Sequence, residues 1–320
     1  MRPPSPLPAE LIGQVFTRGE AVALGVSDLR LRARDIRRIA RGIYQHLPRR
    51  LSAPPGDSTV EGAAELHAPA MLHALCRRTG KVRVSHISAA RLYGLPIPQR
   101  FHDEDTVYLA GSGPSHGGAE DPQVILHRRQ QVPDCSHLFQ GVPVTPPAEL
   151  FAELGRYLHV PELVVVGDQL VRIPRARFEG RDQPWCTVED LGAGARAGRF
   201  RTGVLRARKA QDMVRVGSDS PAETYMRLAI VHAGLPEPEL QIRLHPQDRY
   251  SPVGDAGYRK AKIVLQYEGA HHYTAAQQAR DQRRNAAFEA AGWRVILMNC
   301  VDYQEGFRAV TRRLYRLLNG

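Results

Sequence analysis

Apolar and polar positions fall into short blocks along the chain, and most blocks carry their own start and stop signals. Pro8 to Val15 has the spacing of a short amphipathic helix. Thr17 with Glu20 three residues on is a capping-box pattern, so a helix over Arg18 to Leu24 is expected, stopped at Gly25. Ser27 can cap a third helix running to about Arg34, and Ile36 to Tyr44, with Gly42 inside it, reads as a small hairpin or wing. Residues 49–60 read as a linker. A helix from about Gly62 to Thr79 follows, then a Ser85-capped helix ending at Gly94-Leu95-Pro96. Short strands are expected at 105–110, 123–128 and 142–145, and helices over Pro147 to Leu158 and Pro161 to Leu170. Arg172 to Pro184 reads as an irregular connector, and 187–215 as helical with a break near Gly198.

The last hundred residues are more regular. A helix opens at Ser220-Pro221-Ala222-Glu223 and ends at Gly234. Strands are expected near 240–244, 252–257 and 262–268, then a polar helix over Ala275 to Ala291, a strand over Trp293 to Met298, and a closing helix over Gln304 to Leu318. The order α-β-β-β-α-β-α makes this a mixed α/β region, and the chain as a whole α+β.

Charge then changes the picture. The 320 residues carry 44 Lys+Arg against 33 Asp+Glu, a net charge of +11, and only four of the basic residues are lysine. Residues 1–50 hold ten Arg against four acids, so more than half of the excess sits there, while 217–320 carries 14 basic against 11 acidic residues. The bland explanation of the arginine bias is a GC-rich genome, which favours Arg codons. A basic block of this size also points to nucleic acid, and less to an anionic membrane, because it lacks a large apolar face. The four cysteines are widely spaced and form no zinc or CxxC pattern, as expected of reduced thiols in a cytoplasmic protein. No apolar run approaches the roughly 20 residues of a membrane span; Leu163-Val164-Val165-Val166 is soon interrupted by Gly167-Asp168.

The chemistry concentrates in the third C-terminal strand, where Val264, Gln266 and Glu268 share a face. Polar residues inside a buried strand need partners. Asp255 closes the preceding strand, Glu223 stands in the first helix, and His271-His272 follow Glu268. Oxygen ligands gathered from two strands and a helix suit Mg²⁺, which can activate water on a phosphodiester. Taken singly, Glu223 also serves as a helix N-terminal charge, and Asp255 as a turn residue.

Residues 218–318 resemble the very-short-patch-repair and restriction-endonuclease-like domains of the PD-(D/E)XK nuclease superfamily. The resemblance rests on Ser220-Pro221-Ala222-Glu223-Thr224, Asp255, Gln266-Tyr267-Glu268-Gly269 with His272, Arg280-Asp281 with Arg284, and Gly292-Trp293-Arg294-Val295. It implies catalytic roles for Glu223, Asp255, Gln266, Glu268 and His272, a Mg²⁺ (or Mn²⁺) held by Asp255, Gln266 and Glu268, and phosphate contacts from Arg280 and Arg284. The chain departs from the family in carrying Gln266 where Glu is usual and Glu268 at the lysine position. Two readings follow: an endonuclease, or a nuclease fold that keeps only DNA binding.

Residues 10–160 resemble the AbiEi-type antitoxins of type IV toxin–antitoxin systems, through Phe16-Thr17-Arg18-Gly19-Glu20-Ala21, Gly25-Val26-Ser27, Arg41-Gly42-Ile43-Tyr44 and the Ser85 to Pro96 run. That implies an N-terminal winged helix on double-stranded DNA. Arg30 and Arg34 would share a face of the third helix, flanked by Arg32, Arg37, Arg38 and Arg41. His86 and Ser88 read as capping and packing residues. Four segments are expected: a winged helix (1–50), a middle α/β domain (51–185), a helical connector (186–216) and a restriction-endonuclease-like domain (217–320). The functional expectation is a Mg²⁺-dependent DNA endonuclease. Its alternative is a non-catalytic, antitoxin-like regulator with a cognate toxin partner.

Overall fold

The computed structural model describes residues 5–47, 67–102, 104–112, 123–129, 134–197, 202–269 and 275–319. They form an α+β protein whose chain divides into two compact units, Met1–Leu154 and Gly155–Gly320. No described helix is long and apolar enough to cross a membrane.

The first unit opens with a single 3-10 turn, Ala9–Leu11, in place of the expected helix to Val15. Gly13, at φ +74°, reverses the chain there. Strand β1, Val15–Thr17, follows and leads into helix α1, Arg18–Ala23. Thr17 and Glu20 form the expected capping box, and Gly25 ends the turn at φ +78°.

The basic third helix does not form. Only a 3-10 turn, Arg30–Arg32, is present, and Ala33 is already extended. Arg30 points inward, donating to the Ser5 carbonyl at 2.6 Å and bidentately to Asp35 at 2.7 Å. Closing this ion pair turns the chain back at residue 35, before a second helical turn can build. The hairpin is present as β2, Ile36–Ala40, and β3, Ile43–His46, turning at Arg41-Gly42. The sheet order is β1-β3-β2, over a core of Leu7, Leu11, Phe16, Ala21, Val26, Leu31 and Ile36.

Helix α2, Pro69–Thr79, stops at Gly80 and leads to β4, Val82–Val84, and α3, His86–Leu92. Ser85 does not cap α3 through its hydroxyl, which lies 2.9 Å from His86 Nδ1. Ser88 accepts the Tyr108 N–H at 2.9 Å, so both α3 polar residues serve packing. Strands β5, Val107–Gly111, and β6, Val124–Arg128, pair parallel, with β4 antiparallel on the other side of β5. A two-residue hairpin of β7, Leu138–Phe139, and β8, Val142–Pro143, precedes helix α4, Pro147–Leu154.

The second unit begins with helices α5, Val160–Val171, α6, Ala176–Glu179, α7, Val188–Ala197, and α8, Val204–Gln211. The boundaries expected near 185 and 216 therefore fall inside this unit. Helix α9, Pro221–His232, packs against α5. Strands β9, Glu239–Arg243, β10, Val253–Tyr258, and β11, Ile263–Tyr267, run antiparallel in succession. Helix α10, Ala275–Ala290, crosses over to β12, Arg294–Met298, parallel to β11. The sheet order is β12-β11-β10-β9.

One sheet face holds Ala256, Ile263 and Leu265 with Met226 and Ile230 of α9, and the other holds Ile242 and Val264 with Phe288 of α10 and Trp293. Burial on both faces explains the apolar run in β11. The closing helix is in two pieces, α11, Cys300–Gln304, and α12, Arg308–Asn319, because Gly306 takes φ +64°.

Candidate functional site

The site lies where β10 and β11 part. Their pairing runs from Tyr258↔Ile263 to Ala256↔Leu265 and goes no further. Beyond it the Tyr267 N–H donates to Asp255 Oδ2 at 2.6 Å. A side-chain carboxylate thus takes the place of a strand carbonyl and is held at the fork. β9 is irregular at the same level: Gln241 has φ +48°.

Gln266 is fully buried one residue earlier on β11, and neither its Oε1 nor its Nε2 has a partner among the described residues. Gly254 makes room for it. A Cβ at 254 would stand 2.2 Å from Val264 Cγ2 and 3.5 Å from Gln266 Nε2. A buried amide with no partner is costly. Ser218 Oγ, Arg284 Nε and Asn285 Oδ1 are also buried and without a partner among the described residues, the last two on α10.

Glu223 enters from the first turn of α9. Its N–H donates to Ser220 Oγ, while its carboxylate accepts from the Ser220 hydroxyl and the Asp219 N–H, each at 2.8 Å. The helix N-terminal role therefore holds, but the group is also buried and feels the Asp255 charge. Burial first, and the Asp255 charge second, push Glu223 up to about 8. Asp255 is raised too, again by burial, against the opposing pull of the Tyr267 N–H and the Arg284 charge. A buried Glu223 and a half-buried Asp255 that disfavour each other's charge form a functional-site pattern.

Three residues on this ground were not expected. Asp219 places a further negative charge nearby, which raises both Glu223 and Asp255 slightly. Arg175, in the connector read as irregular, bonds Asp219 Oδ2 at 2.5 Å and pulls against the rise of Asp255. Asn285 adds its orphan carbonyl. Asp219 borders the helix cap and could have been flagged; nothing local marks Arg175.

Glu268 lies just past β11, half-buried, with its N–H on the Met298 carbonyl and its carboxylate unpaired among the described residues. His272 lies outside the described residues. Arg280 is exposed on α10, and Arg284 is half-buried with its Nη2 3.3 Å from Asp281. Among the described residues no three of His, Cys, Asp and Glu converge so as to hold a metal. Any cation here would rely on Asp255, Glu223 and the neutral Gln266 carbonyl.

In the first unit Arg30 is withdrawn from the expected DNA-contact set, because its guanidinium is buried against Asp35. The expected common face with Arg34 is lost with the helix. Arg32, Arg34, Arg37, Arg38 and Arg41 are exposed. Arg37 reaches Gln45 across the hairpin at 2.8 Å, and Arg38 lies near the Ala40 carbonyl.

No family model matches the chain. It is similar to two curated proteins of Mycobacterium tuberculosis, "Uncharacterized protein MT2308" of strain CDC 1551 / Oshkosh and "Uncharacterized protein Rv2248" of strain H37Rv. Each is 27% identical over 233 residues, covering 72% of this chain and 79% of the relative. No solved structure matches.

Proposed function

We propose that the protein binds DNA and that its second unit hydrolyses a phosphodiester at Asp255, with Gln266 and Glu223 beside it and a divalent cation as cofactor. The observation that carries this reading is the fork between β10 and β11. It holds the half-buried Asp255 carboxylate within reach of the buried Glu223 carboxylate, next to a buried amide that lacks any partner among the described residues.

The residues fit a hard cation in part. Asp255 and the Gln266 carbonyl offer oxygen ligands, and a cation would offset the charge held at Asp255. A neutral amide in place of a carboxylate weakens that affinity. Mg²⁺ or Mn²⁺, when bound, would supply charge neutralisation on the phosphate and a more acidic water.

The chain's own groups then have distinct tasks. A water oxygen bonds to phosphorus and the bond from phosphorus to the leaving oxygen breaks. The water gives up a proton and the leaving oxygen gains one. Glu223, carrying its proton near neutral pH, is a store for that exchange. Arg284 and Arg175 set positive charge around the carboxylates. Glu268 and His272 stand along the chain just beyond the fork, with His272 as the group to orient the water.

The first unit docks on duplex DNA through Arg32, Arg34, Arg37, Arg38 and Arg41, with its hairpin as the wing. Nicking of supercoiled plasmid in Mg²⁺ or Mn²⁺ against EDTA tests the catalytic reading. Nicking by wild type that vanishes in Asp255→Asn supports it, and equal nicking by both sinks it.

A second reading, a non-catalytic regulator with a cognate toxin partner, is favoured by one observation. The cation site relies on a neutral Gln266 because no three metal-binding side chains converge among the described residues. Salt-sensitive binding to the gene's own upstream DNA, without nicking, would select it.

A further inference from the structure

Helix α12 is sharply two-sided. Val310 and Leu314 are buried, and Leu317 and Leu318 pack on the same core. The other side exposes Arg308, Arg312, Arg313 and Arg316, with no acid anywhere in the helix. None of the four has an ion pair or a side-chain hydrogen bond among the described residues, unlike many arginines elsewhere in the chain. Their +4 exceeds the whole +3 excess of residues 217–320. Ala309, Arg312, Tyr315 and Arg316 line a shallow, open depression on this side. Tyr315 is 61% exposed.

We infer that this face of α12 is a single-stranded nucleic-acid site, in which Tyr315 stacks an unpaired base and Arg308, Arg312 and Arg316 hold consecutive phosphates. The three arginines stand one per turn, about 6 Å apart along the axis. A small anion would engage one of them, whereas a strand carrying a row of phosphates engages all three. An exposed ring flanked by guanidinium groups suits a base whose face is free, and a duplex hides its base faces. An anionic bilayer fits less well. Surface-lying helices insert an apolar face, and the apolar face of α12 is already used in the core.

The inference deepens the nucleic-acid reading of the second unit, and its test separates the two. Binding of a fluorescent dT20 oligonucleotide is measured by anisotropy in EDTA, where no hydrolysis occurs, on wild type, Tyr315→Ala, Tyr315→Phe and the double variant Arg312→Ala/Arg316→Ala. Tyr315→Ala is expected to weaken binding about five-fold or more, with Tyr315→Phe close to wild type, since the ring and not the hydroxyl stacks. The arginine variant should lower the slope of log K against log salt by about 1.4, at about 0.7 for each phosphate no longer held.

No binding by wild type, or equal binding by Tyr315→Ala, overturns the inference. So does tighter association with phosphatidylserine vesicles that the arginine variant loses while dT20 binding stays. Should the double arginine variant fail to fold, the Tyr315 pair decides alone. Intact dT20 binding without plasmid nicking would count against the catalytic proposal only.

Discussion

Arg227 Nη2 lies 2.8 Å from Asp168 Oδ2, and both side chains are almost wholly buried. The pair ties α9, which carries Glu223, to α5. Asp168 also accepts the Arg215 N–H and the Thr224 hydroxyl, and Arg227 reaches Glu237 with its other nitrogen at 2.9 Å. Removing one partner leaves a bare charge in the interior, so Arg227→Leu should cost about 3–5 kcal/mol. Replacing both, as Asp168→Leu/Arg227→Met, should recover much of that loss. Urea unfolding of the two variants checks this; equal losses in single and double variants would contradict it.

Gly254 is the one residue the crowded side of the fork admits. A methyl there meets Val264 Cγ2 at 2.2 Å and lies against Gln266 Nε2. The strand cannot shift without disturbing the Asp255 hold on Tyr267. Gly254→Ala should therefore destabilise by about 1–3 kcal/mol, as overpacking does. It should also lower plasmid nicking further than the neighbouring Val253→Ala. Thermal melting with parallel nicking assays reads both effects.

The second unit's sheet was legible because each strand announces itself. Ile263 to Leu265 is an apolar run, and Gly234 and Gly292 end the helices beside it. Asp168 was a readable signal as well, since a charge in the apolar run from Leu163 must find a partner. Which partner was not readable: Arg227 is 59 residues away. The same limit hid Arg175, whose place beside Asp219 is set by tertiary packing.

Arg30 misled for a different reason. An arginine spaced one helical turn from another looks like a helix face. Only the closure onto Asp35, five residues on, shows that the chain turns instead. The break at Gly306 was written in the sequence but reads the same way as a glycine tolerated within a helix.

The Glu223–Asp255 pair stores repulsion that the fold tolerates. Asp255→Asn removes one of the two charges while keeping a group of the same size at the fork. The variant should melt at a higher temperature than wild type at pH 8, although it loses nicking. Millimolar Mg²⁺ should raise the melting temperature of wild type and leave Asp255→Asn unchanged, because ligand binding stabilises the state that binds. Scanning calorimetry with and without EDTA decides; a variant less stable than wild type would show that the Asp255 bond to Tyr267 outweighs the repulsion.

His67 provides a pH-dependent term in the first unit. Its ring is largely buried, Nδ1 has no partner among the described residues, and Nε2 lies 3.5 Å from the Glu104 carbonyl. Burial first, then the nearby Arg91 charge, lower its pKa from 6.5 to about 4. The unfolded chain takes up the proton below about 6.5, whereas the folded one stays neutral until about 4. Stability must therefore fall as pH drops through that window and level off below it. The loss should be on the order of 1–2 kcal/mol once solvent reaching the ring is discounted. Chemical denaturation at pH 7 and pH 4.5 should show a smaller drop for His67→Gln than for wild type. An equal drop in both would assign the acid sensitivity to the carboxylate network instead.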